Sequence, residues 1–525
     1  MLVFTIPAML KKIFVILALC YVLFFLNLGA TSLWDPDEPR QAIMAREMME
    51  RNDYVHPYLN GREYLEKPPF YPWMIIVASK ITGRLDEFAS RLPAAIAATL
   101  LLIITFLLGR RFGDEESGLL SAVALATNYQ FLSNARESVM DMTFAFFIGL
   151  TIFLNYLSLT KGRRLLFMLS FIPASLAILT KGPAGLVIPA GVMFICLIIR
   201  KELRGFILPL ILGCFLSLGL ASIWFFLAGD AYIKEFILRQ NITRYTNAFD
   251  HMESPLYYLH KMFFNFLPWS ILLPFALYHA FRKKLWLPLV WFFFTFLFFE
   301  FSSSKRAIYL LPCYPACALL CGVYMRDKWE LLVGKTGTNV ALRIFSIILA
   351  LIPAAAIAAL YIMPYRDVQA FREGPSSLYV YLAVMFLLGI ALFVSLMRRA
   401  GKRAVILLSA YLVFVGVFYN MYYMPVTDRS TKSLRLITDP IGDHRRYKEI
   451  YTYGFNSAGL IYYLGRPIQS FADIKEIKDI KHDILLIVEE RPGATIKNEL
   501  ERLFLPVKEI KYEKDRYTIY VRRDG

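Results

Sequence analysis

Apolar runs of membrane-spanning length recur from residue 13 to residue 423, and no other feature of this chain limits its fold so strictly. In hydrocarbon, such a run satisfies its own backbone polar groups as a helix or in a closed barrel, and unbroken stretches approaching about 20 apolar residues are the helical signature. Thirteen runs fit that description, at 13–30, 92–109, 118–134, 142–159, 165–180, 183–199, 206–228, 262–281, 285–301, 307–325, 343–363, 378–397 and 404–423. The expected fold class is therefore mainly α, a polytopic membrane protein with about 13 transmembrane helices. With 57% hydrophobic residues, dividing the 525-residue length by a soluble-domain size has no meaning here.

The loops carry a second, independent pattern. Every other loop holds a basic cluster: Arg110-Arg111, Lys161 with Arg163-Arg164, Arg200-Lys201 with Arg204, Arg282-Lys283-Lys284, Arg326 with Lys328, and Arg398-Arg399 with Lys402-Arg403. Together with Lys11-Lys12 these place the amino terminus and the basic loops in the cytoplasm. The alternate loops, 31–91 and 229–261 among them, then face outward, as does everything after residue 423. The net charge of +17 is thus a matter of topology, with anionic membrane lipid rather than nucleic acid as its partner. The six cysteines lie in or beside apolar runs and are expected to form neither disulfide nor metal site.

After the last run the chain changes character. Strand-length apolar stretches at 449–453, 483–488 and 517–521, with helical spacing over 494–503, predict a small extracytoplasmic α/β domain over 424–525, following a membrane domain over 1–423.

Charge returns in the outward loops. The first contains Trp34-Asp35-Pro36-Asp37-Glu38-Pro39-Arg40, then an amphipathic helix to about residue 50, then Tyr64-Leu65-Glu66-Lys67-Pro68-Pro69 before an aromatic stretch. Asp37 has two readings: the N-cap of the helix that follows, or a carboxylate that accepts a proton from, or orients, an attacking group. Lys67, held at headgroup depth beside aromatic residues, is placed to meet a phosphate. Further along are Arg136-Glu137 with Asp141, a turn at Thr180-Lys181-Gly182-Pro183, a loop over 241–255 with Arg244 and His251, and Ser302-Ser303-Ser304-Lys305-Arg306 leading to Tyr309. Lys305 and Arg306 lie on the side where cations are disfavoured and therefore need an anion, for which a lipid phosphate is suited.

These loop motifs resemble those of the membrane glycosyltransferases that use a polyprenyl-phosphate sugar, most closely the lipid A aminoarabinose transferases within the protein O-mannosyltransferase-like superfamily, which have the GT-C fold. The resemblance runs from residue 33 to about 315. It implies Asp37 and Asp141 as catalytic acidic positions, Lys67 as a contact to the donor phosphate with Glu66 beside it, Tyr64 as a further matched position, and Tyr309 in the segment that closes the donor cavity. It also implies a divalent metal (zinc, or magnesium or manganese) held by Glu66 and His251, with the histidine one residue off register, although the transfer itself requires no cofactor. Pro39 and Gln41 depart from the threonine and tyrosine of the aminoarabinose enzymes.

The expected function is inverting transfer of an aminoarabinose-like sugar or hexose from a polyprenyl-phosphate carrier to lipid A, another glycolipid, a glycan or a protein. Lys67, Arg244, Lys305 and Arg306 are the expected donor-phosphate ligands, and the expected location is the outer, periplasmic face of a bacterial inner membrane. The rival class is a flippase or transporter of lipid-linked sugars, which would also need charge at headgroup depth; the internal repeats common in transporters are not evident in the sequence.

Overall fold

The computed structural model describes residues 8–247, 250–332, 337–362, 377–429, 433–471, 476, 483–490, 496–512 and 515–522. The apolar runs are mostly helical where they are described, and among the described residues eight helices are long and apolar enough to cross a membrane. They are Glu87–Phe112, Met140–Thr160, Arg164–Lys181, Leu203–Ala228, Ala307–Lys328, Leu342–Ala359, Ser377–Met397 and Gly401–Thr427. Ala184–Ile199 and Trp286–Glu300 are shorter apolar helices. Among the thirteen expected runs, that at 165–180 is split at Ser170-Phe171 into Arg164–Leu169 and Ile172–Lys181, and two more are broken for evident local reasons. The run at 118–134 splits where the Asn128 side chain accepts a hydrogen bond from the Phe131 backbone N–H at 2.6 Å and starts a new helix, Tyr129–Asn134. The run at 262–281 is interrupted at Trp269–Ile271, between Tyr257–Asn265 and Leu273–Arg282, where Pro268 and Pro274 each remove a backbone donor.

Small residues set how closely the central helices approach. A Cβ on Gly322 would lie 2.1 Å from the Ser121 hydroxyl oxygen, so Tyr314–Leu332 and Glu115–Ala126 meet nearly backbone to backbone. By contrast, Leu203–Ala228 leaves Leu208, Phe215, Ile223 and Phe226 exposed, the pattern of a lipid-facing helix.

The first long loop is structured. It forms the helix Asp37–Arg51, a two-residue hairpin turned by Asn60-Gly61, both at positive φ, and the helix Phe70–Thr82. After the last membrane helix, a mixed sheet of five strands runs in the order 469–471, 449–453, 484–490, 515–522, 504–512. Its first three strands are parallel and the other two antiparallel. The strand Ile484–Glu490 is covered on both faces: Leu485 and Ile487 meet the helix Ala458–Leu464, and Ile484, Leu486 and Val488 meet Leu500 and Phe504. That accounts for its unbroken apolar sequence. Ile43 of the first loop is part of the former core, so loop and tail share one packed interface.

Candidate active site

A cavity of about 280 Å³ opens between the ends of several membrane helices, and its wall includes Lys67, Asp141, Lys181, Arg244 and Tyr309. Each polar side chain reaches it through a local feature of the chain. Asp141 sits in the first turn of Met140–Thr160, where the positive end of the helix dipole favours a carboxylate. Lys181 occupies the last turn of Ile172–Lys181, where a cation is favoured. That helix stops at Gly182, whose φ of +113° suits glycine, and a Cβ there would lie 2.5 Å from the Asn241 amide oxygen. Asn241 and Gln240 belong to a widened, π-type helix over Ile233–Thr243 that delivers Arg244 to the cavity.

Lys181 and Asp141 form an ion pair at the cavity wall, and the lysine also lies 4.4 Å from the centre of the Tyr309 ring. Arg244 is held by Asp250 at 2.7 Å and by the Ser304 hydroxyl at 3.3 Å. Lys67 lies 5.9 Å from the Phe236 ring. Burial, and then the positive charges of Lys181 and Arg244, push the Lys67 ammonium down to about 8, against the weaker pull of Glu66 and Asp141. Three cations thus converge on a space bordered by one carboxylate, a field suited to an anion.

Asp37 lies at the neighbouring edge. It is the first residue of its helix rather than the N-cap, and its carboxylate is turned to two arginines, Arg306 at 3.0 Å and Arg40 at 3.5 Å. Burial opposes the Arg306 cation, but the hydrogen bond and charge of Asp37 outweigh it and hold Arg306 above the ordinary arginine value. Tyr64 donates a hydrogen bond to Glu66 at 3.0 Å, and burial and then the Glu66 charge push the Tyr64 phenol up.

The structure thus brings Lys67, Arg244, Asp141 and Tyr309 together, with Asp37 and Arg306 paired beside them. It gives two expected phosphate ligands other partners. Lys305 is buried against the Glu300 carboxylate at 3.3 Å and the Tyr258 ring, away from the cavity wall, and Arg306 holds Asp37. The anion each cation needed is supplied by the protein itself. Glu137 and Arg136, neighbours in sequence, have separate partners. Glu137 accepts hydrogen bonds from Ser133 and Asn134, with burial pushing it up to about 7, while Arg136 donates to the backbone carbonyls of Leu23, Phe24 and Asn27. Lys181, noted in the sequence only as part of a turn, lines the cavity. Asp250 and Glu300 went unnoticed in the sequence, where a lone carboxylate in a polar loop or at the end of an aromatic helix carries no distinctive spacing.

The implied metal site does not fit this arrangement. Glu66 is engaged with Tyr64, and exposed His251 lies 3.9 Å from an Asp250 carboxylate oxygen that Arg244 already holds. Among the described residues, no group of three or more histidine, cysteine or acidic side chains could hold an ion.

The chain was compared with known proteins and structures. The family model for dolichyl-phosphate-mannose-protein mannosyltransferases matches residues 66–225, which includes Lys67, Asp141 and Lys181. The solved structure of ArnT from Cupriavidus metallidurans bound to undecaprenyl phosphate superposes with a TM-score of 0.78, covering 98% of each chain at 21% identity. This is the GT-C fold. Among sequence relatives, an uncharacterized protein from Aquifex aeolicus is 34% identical over 328 residues, 61% of this chain and 65% of its own length. An undecaprenyl phosphate-α-4-amino-4-deoxy-L-arabinose arabinosyl transferase from Pseudomonas aeruginosa is 29% identical, across 70% of this chain and 69% of that protein. The GT-C chain described here therefore resembles the aminoarabinose transferases, and the alignments span about two thirds of those relatives' lengths.

Proposed function

We propose that this protein is an inverting glycosyltransferase. It moves a sugar from a polyprenyl monophosphate to lipid A, another glycolipid, a glycan or a protein at the outer face of a bacterial inner membrane. The observation that carries this reading is the convergence of Lys67, Lys181 and Arg244 on one cavity, with Arg306, which holds Asp37, on the same segment as the cavity residues Ser304 and Tyr309. The undecaprenyl phosphate bound to the similar ArnT structure and the name of the Pseudomonas relative support it.

In this reading the donor phosphate lies among the three cations. An acceptor oxygen attacks the anomeric carbon as the bond from that carbon to the phosphate oxygen breaks, and the leaving phosphate gains one negative charge. Lys67 and Arg244 stabilise that charge most strongly as it grows, which is the condition for accelerating the step. Asp37 orients the acceptor and takes its proton if it is a hydroxyl; Arg306 and Arg40 keep this carboxylate aimed. No metal is assigned a part.

Mass spectrometry of membrane lipids from cells lacking the protein tests the proposal. The sugar-charged polyprenyl phosphate should accumulate and one glycosylated acceptor should disappear, which identifies both substrates. Unchanged carrier and acceptor pools would contradict it.

A further inference from the structure

Between Ser32 and Asp35, just before Asp37, three residues are bonded to the chain beyond residue 427. The Ser32 backbone N–H donates to both carboxylate oxygens of Asp428 at 3.2 Å, and its hydroxyl donates to the same carboxylate. The Leu33 N–H donates to the Tyr463 phenol oxygen at 2.8 Å, and that phenol donates to Glu87 at 3.1 Å. The Asp35 carboxylate accepts the Gly459 backbone N–H at 2.7 Å, at the start of the helix Ala458–Leu464. The fit at Gly459 is tight, since a Cβ there would lie 1.9 Å from Leu434. Arg435 pairs with Glu87 on the same face.

The opposite side of this segment is fixed by the membrane unit. Glu38 is buried in a two-oxygen pair with Arg91 at 2.8 Å and accepts the Trp34 N–H at 2.8 Å. The guanidinium of Arg91 also donates to the carbonyls of Leu28, Thr31 and Ser32. The backbone that carries Asp37 is thus clamped between Arg91 on one side and the outer α/β unit on the other.

We infer that the outer α/β unit is a positioning element for the transfer step, and that Asp35 is the positioning residue through which it fixes the aim of Asp37. The inference rests on the reading of Asp37 given above. Its logic is geometric. The Asp37 carboxylate is half-exposed and, among the described residues, is held through the side-chain tips of Arg306 and Arg40, so its reach follows the backbone of 32–36, and misplacement by about 1 Å can cost roughly 10²-fold in rate.

The test compares Asp35→Ala and Asp35→Asn in the full-length protein. Both remove the charge near Asp37, but only Asn keeps an oxygen that can accept the Gly459 N–H. Three quantities are read: turnover, binding of undecaprenyl phosphate, and hydrogen exchange of amides 32–38. Asp35→Ala should lower turnover about 10- to 100-fold, leave undecaprenyl phosphate affinity within about twofold and speed exchange over 32–38. Asp35→Asn should recover most of both turnover and protection. Tyr463→Phe, which removes the acceptor for Leu33, should repeat the Ala pattern in a variant whose packing is nearly unchanged. Equal turnover in wild type and Asp35→Ala, or faster exchange without loss of turnover, would overturn the inference. Failure of the glycosyltransferase reading looks different, since the wild-type protein itself would then form no glycosidic bond.

Discussion

At the residue scale, the charge on Asp37 is the feature to test. Because its helix starts with no side-chain cap, replacing Asp37 by Asn removes no cap, and the fold should be unaffected. If the carboxylate orients or deprotonates the acceptor, turnover should fall by about 10²–10⁴-fold while undecaprenyl phosphate still binds. Near-full activity of Asp37→Asn would refute the assignment. Lys67 makes a different prediction. Its replacement by Ala should weaken donor binding by more than about tenfold, as expected for a charge-assisted contact to phosphate worth roughly 1.5–3 kcal/mol. With Lys67 at about 8, the cationic form that binds phosphate is present below that pH and lost above it. Affinity measured by calorimetry should therefore hold between pH 7 and 7.5 and fall above about 8, approaching one decade per pH unit, and Lys67→Ala should flatten that profile. A pH-independent affinity in the wild type would remove Lys67 from the phosphate site.

At the scale of elements, the decisive contacts join helices far apart in sequence. Arg91 in Glu87–Phe112 and Glu38 in Asp37–Arg51 form a buried pair, and the Ser138 N–H, just before Asp141, adds a further bond to the same Glu38 carboxylate at 2.5 Å. Removing one member of such a pair leaves an uncompensated buried charge, so Arg91→Ala should destabilise the protein by about 3–5 kcal/mol. A thermal-shift measurement in detergent would check this, and an unchanged midpoint would contradict it. These couplings also mark the limit of what the sequence conveys. The helices were legible because hydrophobicity over 20 residues is a local property, and the cavity residues Lys67, Asp141 and Arg244 were legible because charge at the ends of apolar runs is conspicuous. Which anion each cation takes depends on tertiary approach, so Lys305 and Arg306 could be placed on the correct loop while their partners, Glu300 and Asp37, stayed hidden. The breaks at Asn128 and around Pro268 are set by single residues inside apolar runs, which a hydropathy average passes over.

At the scale of the whole molecule, the contact between the first loop and the tail constrains topology. Asn60 exchanges two hydrogen bonds with the Ile468 backbone, at 2.8 and 2.9 Å, and Arg46 donates to the carbonyls of Ile461 and Tyr462. Segments packed in this way lie on one side of a membrane. With basic clusters marking the cytoplasmic loops, a reporter joined after residue 423 should read as extracytoplasmic; a cytoplasmic signal would invalidate the orientation. The central claim, that the cation-lined cavity and Asp37 together transfer a sugar, meets its most direct test in one reaction. Purified protein in lipid nanodiscs is supplied with an undecaprenyl-phosphate sugar and lipid A, and free undecaprenyl phosphate, glycosylated product and anomeric configuration are followed together. The account predicts one undecaprenyl phosphate released for each glycosidic bond formed, with the configuration inverted. Retention of configuration would contradict it, as would, across a range of sugars and acceptors, a donor moved between leaflets without any new glycosidic bond.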